Sequence, residues 1–298
     1  MLEFRKVTLS DRDWVHEMLY NAGRTGCEYS FANLYFWLCR NGGVARVGDF
    51  LCFQTCYGGF CSFFYPAGQG DVKPVIELLR QEAVERGVPF VLRGVTEEDR
   101  AVLEQLYPGK FSFRELRDAF DYTYPVEKLA NLAGKKLQAK RNHINRFIAE
   151  HPQWHTEPLT DENMGKCREM AEKWYENHGD VKSLDTEKAA LFTALENREH
   201  MGMEGIVLFD GGEVLGFSLG NRITEKVFDV NFEKAYAQIP GSFALVNREF
   251  SRMVAEKFPE VELLNREDDM GLEGLRKAKE SYYPDLLVKM LATWEEGA

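Results

Sequence analysis

The sequence predicts a mixed α/β (α+β) protein of two tandem, similarly ordered units, and three observations carry that prediction. The chain has 298 residues, about twice an ordinary domain. Its patterns run helix, helix, meander, helix, strand, helix, strand, and the second half repeats that order. With 44% hydrophobic and 13% aromatic residues, each half can bury a core of its own. A division after Pro125 gives units 1–125 and 126–298, and the second is expected to carry the active site.

In the first half, Ser10 and Asp11 can cap a helix beginning at residue 11 or 12, and residues 29–39 read as an aromatic-rich second helix. Strands are expected at 44–47, 50–57 and 60–65, separated by the turn signals Gly48-Asp49 and Gly58-Gly59. A helix at 73–86, a strand at 90–92, a helix at 97–107 and a strand around 119–124 complete the unit.

The second half opens with a strand at 154–157 and helices at 161–177 and 186–196. Met164, Cys167, Met170, Ala171 and Trp174 share one side of the first of these helices. A meander follows at 205–209, 214–219 and 227–232, with Asp210-Gly211-Gly212 as a hairpin turn. A helix at 242–257, a strand at 261–264, a charged helix at 271–281 and a strand at 286–291 close the chain.

Net charge is −11, divided as −3 before the cut and −8 after it, so neither half is a general polyanion binder. The stretch from Lys128 to Ala149 reverses this locally, with six lysines and arginines and no acid. On a helix, Leu137, Ile144 and Ile148 form an apolar stripe, Lys136, Lys140 and His143 an adjoining face, and Arg141 with Asn145 another. An all-cationic run repels itself and calls for an anion. Acids elsewhere in the chain and a phosphate of RNA or cofactor fit equally, so Lys135, Lys136, Lys140, Arg141 and Arg146 are candidate polyanion contacts.

The six cysteines, Cys27, Cys39, Cys52, Cys56, Cys61 and Cys167, form no CxxC pair and have no histidine cluster near them, which argues against a metal site. Buried free thiols in a reducing cytoplasm are the simplest expectation. Without an apolar signal core at the N-terminus or a run of about 20 apolar residues, the chain is expected to be soluble, cytoplasmic and not inserted in a membrane. His143, His178 and His200 are isolated, and no Gly-x-Ser-x-Gly, Walker or Rossmann motif appears. Hydrolase, NTPase and dehydrogenase readings therefore have no support.

Three segments carry a family resemblance. They are Glu28-Tyr29-Ser30-Phe31-Ala32-Asn33-Leu34-Tyr35-x-Trp37; the basic run from Gly134 to Phe147; and Asn265-Arg266-Glu267-Asp268-Asp269-Met270-Gly271-Leu272-Glu273-Gly274-Leu275-Arg276-Lys277-Ala278-Lys279 with the following Ser281-Tyr282-Tyr283-Pro284 and Lys289. Together they resemble bacterial relatives of the catalytic domain of phosphatidylglycerol lysyltransferase. The resemblance implies two tandem GCN5-related N-acyltransferase-like units, as in the Fem peptidyl aminoacyltransferases, and an aminoacyl donor carried by tRNA. It also places Arg276 and Lys289 on the catalytic cleft.

In the acyltransferase fold, a Gln/Arg-x-x-Gly-x-Gly/Ala loop binds the CoA pyrophosphate through backbone amides. The matching place offers Gln238-Ile239-Pro240-Gly241-Ser242-Phe243-Ala244. Pro240 removes a donor and Phe243 displaces a small residue, so Gln238, Gly241 and Ser242 read equally as a degraded cofactor site or as a loop opening a helix. Acyl transfer needs a polarised carbonyl, a proton acceptor for the nucleophile and a proton donor for the leaving group. Arg276, Lys279 and Lys289 are candidates for the first role. Glu267, Asp268 and Asp269 suit the second, or hold an α-ammonium, and Tyr282 or Tyr283 suits the third. If the strand at 227–232 alternates onward, Asp229, Asn231 and Glu233 share a face and make a candidate acceptor site.

The leading reading is an aminoacyltransferase taking its group from charged tRNA and giving it to a small-molecule or lipid acceptor, with no tightly bound cofactor. A CoA-dependent N-acyltransferase is the alternative. A noncatalytic RNA- or metabolite-binding protein on the same fold is the other.

Overall fold

A computed structural model of the chain describes residues 2–37, 41–57, 60–177 and 182–295. The elements begin with α1 (Arg12–Ala22), α2 (Phe31–Phe36), β1 (Gly42–Val47), β2 (Phe50–Tyr57), β3 (Phe60–Phe64), β4 (Ala67–Gly68), α3 (Lys73–Arg86), β5 (Val91–Val95), α4 (Glu97–Leu106), β6 (Phe111–Glu115) and β7 (Asp121–Pro125). There follow α5 (Val126–Asn131), α6 (Gln138–Glu150), β8 (Trp154–Pro158), α7 (Asp161–Glu176), α8 (Lys182–Asn197), β9 (Met203–Asp210), β10 (Glu213–Arg222) and β11 (Val227–Ala235). The chain ends with α9 (Ser242–Lys257), β12 (Leu263–Asn265), α10 (Glu273–Glu280), β13 (Asp285–Leu287) and β14 (Met290–Trp294). Two units divide these elements: Met1–Thr123 with Glu267–Ala298, and Tyr124–Arg266.

In the first unit the sheet runs β1-β2-β3-β5-β14-β6, with β4 paired to β2. Period-two alternation sorts its side chains. Cys52, Phe63, Leu92, Met290 and Ala292 pack with Val75, Ile76, Leu79 and Ala83 of α3 and Leu103 of α4. The opposite face carries Phe53 and Phe64, stacked at 4.7 Å, and further along the sheet Arg93, Leu291 and Arg114. Helix α4 starts where Thr96 and Asp99 form a reciprocal capping box, and α3 stops at Gly87 in the left-handed region.

In the second unit β12-β11-β10-β9-β8 form a sheet, parallel only between β11 and β12. Helix α9 lies on it, with Phe250 5.8 Å from Phe228. Leu219 pairs with Phe232 and Asn221 with Asp229, so Val230 and Asn231 stand against the single Gly220. That is a β-bulge, and it breaks the alternation of β11.

Several expectations are corrected. The segment 267–298 belongs with the first unit, whereas the sequence division put it in 126–298, because β14 inserts between β5 and β6 and completes that sheet. The last expected strand is two short ones: β13 pairs with residues 121–123 of β7, and β14 with β5 and β6. The aromatic helix is shorter than 29–39, since Cys27–Tyr29 is a 3-10 turn and Ser30 caps α2 by accepting from the Asn33 amide. Strands β4 and β6 had no expectation; in β6 only Phe111 and Phe113 are apolar, too short a pattern to separate from a loop. Cys56 and Cys61 are not free thiols: they face each other across β2 and β3 and are joined as a disulfide. Cys27, Cys52 and Cys167 are free. Cys39, the Gly58-Gly59 turn and His178 lie outside the described residues. Among the described residues no helix is long and apolar enough to cross a membrane.

Candidate functional site

The first and last sequence motifs meet in the first unit. Lys289, 5% exposed just before β14, donates from Nζ to Asp121 Oδ1 at 2.7 Å and to Glu28. Its Nζ lies 3.6 Å from Cys27 Sγ. The Cys27 amide donates to Asp121 Oδ2 (2.8 Å), so one buried carboxylate serves both the turn before α2 and the lysine. Glu28 fits because its neighbours are glycines: a Cβ at Gly26 or Gly94 would fall 2.7 or 2.5 Å from its carboxylate oxygens. Burial opposes the Lys289 charge, but Asp121 and Glu28 outweigh it and hold the ammonium well above its ordinary value. Burial, with Asp121 beside it, pushes the Cys27 thiol well up, so it stands protonated.

Glu267 and Asp268 complete this cluster. Asn33 Nδ2 donates to Glu267 Oε1 at 3.1 Å, and Lys279 Nζ to the Asp268 carbonyl. Surrounding protein raises Glu267 to about 7, against the pull of Lys279 and the Asn33 hydrogen bond. Burial and then the charge of Asp121 raise Asp268 to about 6, against Lys289 and Lys279. Both carboxyls can therefore exchange a proton near neutrality. Glu28 and Lys289 also line a cavity of about 350 Å³, together with Arg24, Gly26, Tyr29 and Gly94 among others. Arg24 is fixed there by Asp99 (Nη1 to Oδ1, 2.9 Å) and lies over the Tyr29 ring.

Asp269 and Arg276 do something else. Asp269 is fully buried and accepts from Arg276 Nε (2.8 Å) and Nη2 (2.9 Å), Tyr122 OH (2.5 Å), Arg117 Nη1 (3.1 Å) and the Gly271 amide (2.8 Å). Arg276 Nη2 also reaches Asp118 Oδ1 at 2.7 Å. The Arg276 hydrogen bonds hold Asp269 well below the usual carboxylate range. These two residues pin the loop that leads into α10, so the expected convergence of Arg276 with Lys289 on one carbonyl is not what the structure builds. Tyr283 is exposed and Tyr282 buried.

In the second unit the candidate acceptor face is divided by the β11 bulge. Asn231 Nδ2 donates to Asp229 Oδ2 (2.9 Å). Glu233 instead accepts from Arg266 Nη2 (2.8 Å) and Asn247 Nδ2 (3.2 Å). Phe228 and Glu233, of opposite parity, both reach α9, so Asp229 and Glu233 do not share a face. In the candidate cofactor loop the amides of Ile239 and Ser242 are used by the carbonyls of Tyr236 and Ile239, and the Ser242 hydroxyl donates to Tyr236 O (2.9 Å). Gly241 (φ +93°) lies against α6, where a Cβ would collide with the His143 carbonyl. Packing thus accounts for Gly241 and Ser242, and Gln238 is exposed.

The basic run is partly structural. Leu137, Ile144 and Phe147 are buried and Ile148 half-buried; Phe147 was missing from the expected stripe. Arg141 donates to the carbonyls of Leu132 and Gly134, and Arg146 pairs with Glu150 at 2.8 Å. Lys140 is half-buried, its pKa lowered by burial and then by Arg266, against Glu233. Lys135 and Lys136 are exposed.

Sequence reasoning missed Cys27 and Asp121 as members of the site. Asp121 and Lys289 are 168 residues apart, and no spacing rule joins them.

Residues 21–293 match the family described as phosphatidylglycerol lysyltransferase, C-terminal. The chain is 36% identical to a conserved protein of unknown function from Bacteroides thetaiotaomicron VPI-5482, covering 99% of this chain and 100% of that one, with a TM-score of 0.93. The fold is also similar to L-PGS from Bacillus licheniformis (TM-score 0.68, 16% identity, 97% and 93% covered) and to FemX (TM-score 0.60, 9% identity, 97% of both). An uncharacterized protein of Mycoplasmoides gallisepticum, MYCGA3080, is 26% identical over 175 residues, 57% of this chain. That match spans about half the length of the relative, 54%. The architecture is accordingly a mixed α/β fold of two tandem acyltransferase-like, Fem-like units.

Proposed function

Since the chain belongs to the family of phosphatidylglycerol lysyltransferase C-terminal domains, we propose that it transfers an aminoacyl group from charged tRNA to an amine or hydroxyl of a small-molecule or lipid acceptor. The observation that carries the chemistry is the pair Glu267 and Asp268, raised to about 7 and about 6 beside Lys279 and Lys289. In this reading one of these carboxylates takes the proton of the attacking group as its nitrogen or oxygen bonds to the ester carbonyl carbon. The carbon–oxygen bond to the terminal ribose then breaks. The same carboxyl returns the proton to the departing ribose oxygen, which a group poised near neutral pH does best. Lys279 supplies positive charge where the carbonyl oxygen becomes negative. Lys289 positions Glu28 and Asp121. The exposed Lys135 and Lys136 are proposed contacts for the tRNA backbone.

An acyl-CoA donor has less support, because Pro240 lacks an amide and those of Ile239 and Ser242 are spent on chain carbonyls. The test is a single-turnover reaction of radiolabelled aminoacyl-tRNA pools with amine, hydroxyl and phospholipid acceptors. Protein-dependent loss of the tRNA ester should coincide with label on the acceptor. A Glu267→Gln/Asp268→Asn variant should slow it by about a hundredfold or more. Undiminished transfer by that variant, or no transfer from any pool, would defeat the reading.

A further inference from the structure

The sheet face of the first unit turned away from α3 and α4 carries two arginines that the proposed transfer does not use. Met290 pairs with Val95 and Ala292 with Leu92, so Arg93 and Gly94 of β5 stand against Leu291 alone. This is a bulge, and Gly94 accommodates it at φ +62°. On the other side of β14, Leu291 pairs with Arg114. Arg93, Leu291 and Arg114 thus form a row across three strands. Strands about 4.8 Å apart put the two arginine backbones roughly 10 Å from each other, within reach of one guest between their guanidinium groups.

Neither arginine has an ion-pair partner among the described residues. Arg93 is half-buried, its guanidinium 6.0 Å above the Phe64 ring. Glu28 is the acid that acts on it, and Glu28 is already bonded to Lys289. Arg114, exposed on β6, repels it. A half-buried cation next to a like charge is costly unless an anion sits between the two.

We propose that Arg93 and Arg114 form a binding site for the phosphate group of a small molecule. Two planar guanidinium forks match the paired oxygens of a phosphate better than any neutral group. A nucleic acid fits this row poorly, since a continuous backbone calls for a longer track of cations than two arginines on either side of Leu291. That the phosphate belongs to the acceptor rests on the transferase reading. The binding site does not, and its test needs no turnover.

The experiment is calorimetric titration of the full chain with inorganic phosphate, a soluble glycerophosphodiester, vesicles of anionic phospholipid and a short single-stranded RNA. The soluble phosphates should bind, and Arg93→Gln and Arg114→Gln should each weaken them about tenfold, a loss of one charged contact. Arg93→Lys should recover only part of the loss, because a lysine cannot chelate. Arg114 is exposed, so its variant should keep the melting temperature and remain informative even if Arg93→Gln unfolds. Vesicle binding that is also sensitive to both variants would identify the phosphate as a lipid headgroup, whereas soluble ligands alone would identify a metabolite. Absence of phosphate binding, affinities unchanged in Arg114→Gln, or binding of RNA alone would each overturn the proposal. Failure of transfer with phosphate binding intact would count against the transferase reading only.

Discussion

The Asn33 side-chain amide donates to the Glu267 carboxylate at 3.1 Å, across 234 residues of sequence, and the same nitrogen donates to the Cys27 carbonyl at 2.7 Å. Glu267 sits at φ +56°, uncommon for a residue with a side chain. One amide therefore fixes both the turn that presents Glu28 and the carboxyl proposed to carry the proton.

The Glu267 shift has a sign that can be tested. Its folded value, about 7, lies above the ordinary glutamate value, so the folded state holds the proton more tightly. That contribution to stability is fully present at low pH and is lost as pH rises from about 4.5 through 7. Glu267→Gln should therefore be more stable than the parent at pH 8, by roughly 1–2 kcal/mol after allowance for its partial exposure. The gain should vanish near pH 4.5. Urea melts at both pH values provide the check, and equal effects at both would refute the shift.

Transfer should show the same groups from the other side. If Glu267 and Asp268 accept the proton, single-turnover rates should rise with pH between about 5 and 8. Glu267→Gln should move the midpoint toward Asp268, near 6. A flat profile in the parent protein would remove both from the chemistry.

Asp269 is a prediction about stability. Asp269→Asn leaves Arg276 and Arg117 without their shared carboxylate and should cost about 3 kcal/mol, read as a lowered denaturant midpoint at constant slope. The Asp269 contribution is present above the ordinary aspartate value and lost as pH falls through its lower folded value, the opposite sense to Glu267. Arg276→Lys should lower the melting temperature while leaving transfer per folded molecule nearly unchanged. A large loss of rate without a loss of stability would return Arg276 to the catalytic group.

Gly241→Ala tests whether its loop serves packing or a cofactor. The added Cβ meets the His143 carbonyl at a left-handed φ, so destabilisation of about 2–3 kcal/mol is expected. Calorimetry of the parent protein with CoA should show no micromolar binding. Tight CoA binding abolished by the variant would restore the acyl-CoA alternative.

The basic run divides in the same way. Lys135→Ala/Lys136→Ala should weaken tRNA binding and flatten its salt dependence by about two counterions, because both residues are exposed. Arg141→Ala should instead lower stability, since Arg141 ties down the carbonyls of Leu132 and Gly134. An unchanged salt slope in the double variant would assign the whole run to structure.

Local pattern determined a good deal. Apolar periodicity marked α3, α4, α7 and α9, because each buries one face along its own length, and short apolar runs bounded by turn signals marked the β9–β11 meander, whose strands are buried on both faces. The family motifs likewise marked Glu28, Asn33, Glu267, Asp268 and Lys289. What the sequence could not supply were relations between distant segments: the insertion of β14 between β5 and β6, the Cys56–Cys61 bond, and the place of Asp121 beneath Lys289. Nor could alternation reveal the β11 bulge, since one extra residue opposite Gly220 exchanges faces without altering composition. Arg276 and Lys289 show the limit most plainly. Both are cations of the C-terminal family motif, one in the charged helix and one in the apolar run after it, and the motif gives both the same expected role. Only the folded chain assigns Arg276 to the buried Asp269 and Lys289 to Asp121 and Glu28, because a charge taken from water must find its partner wherever packing has placed one.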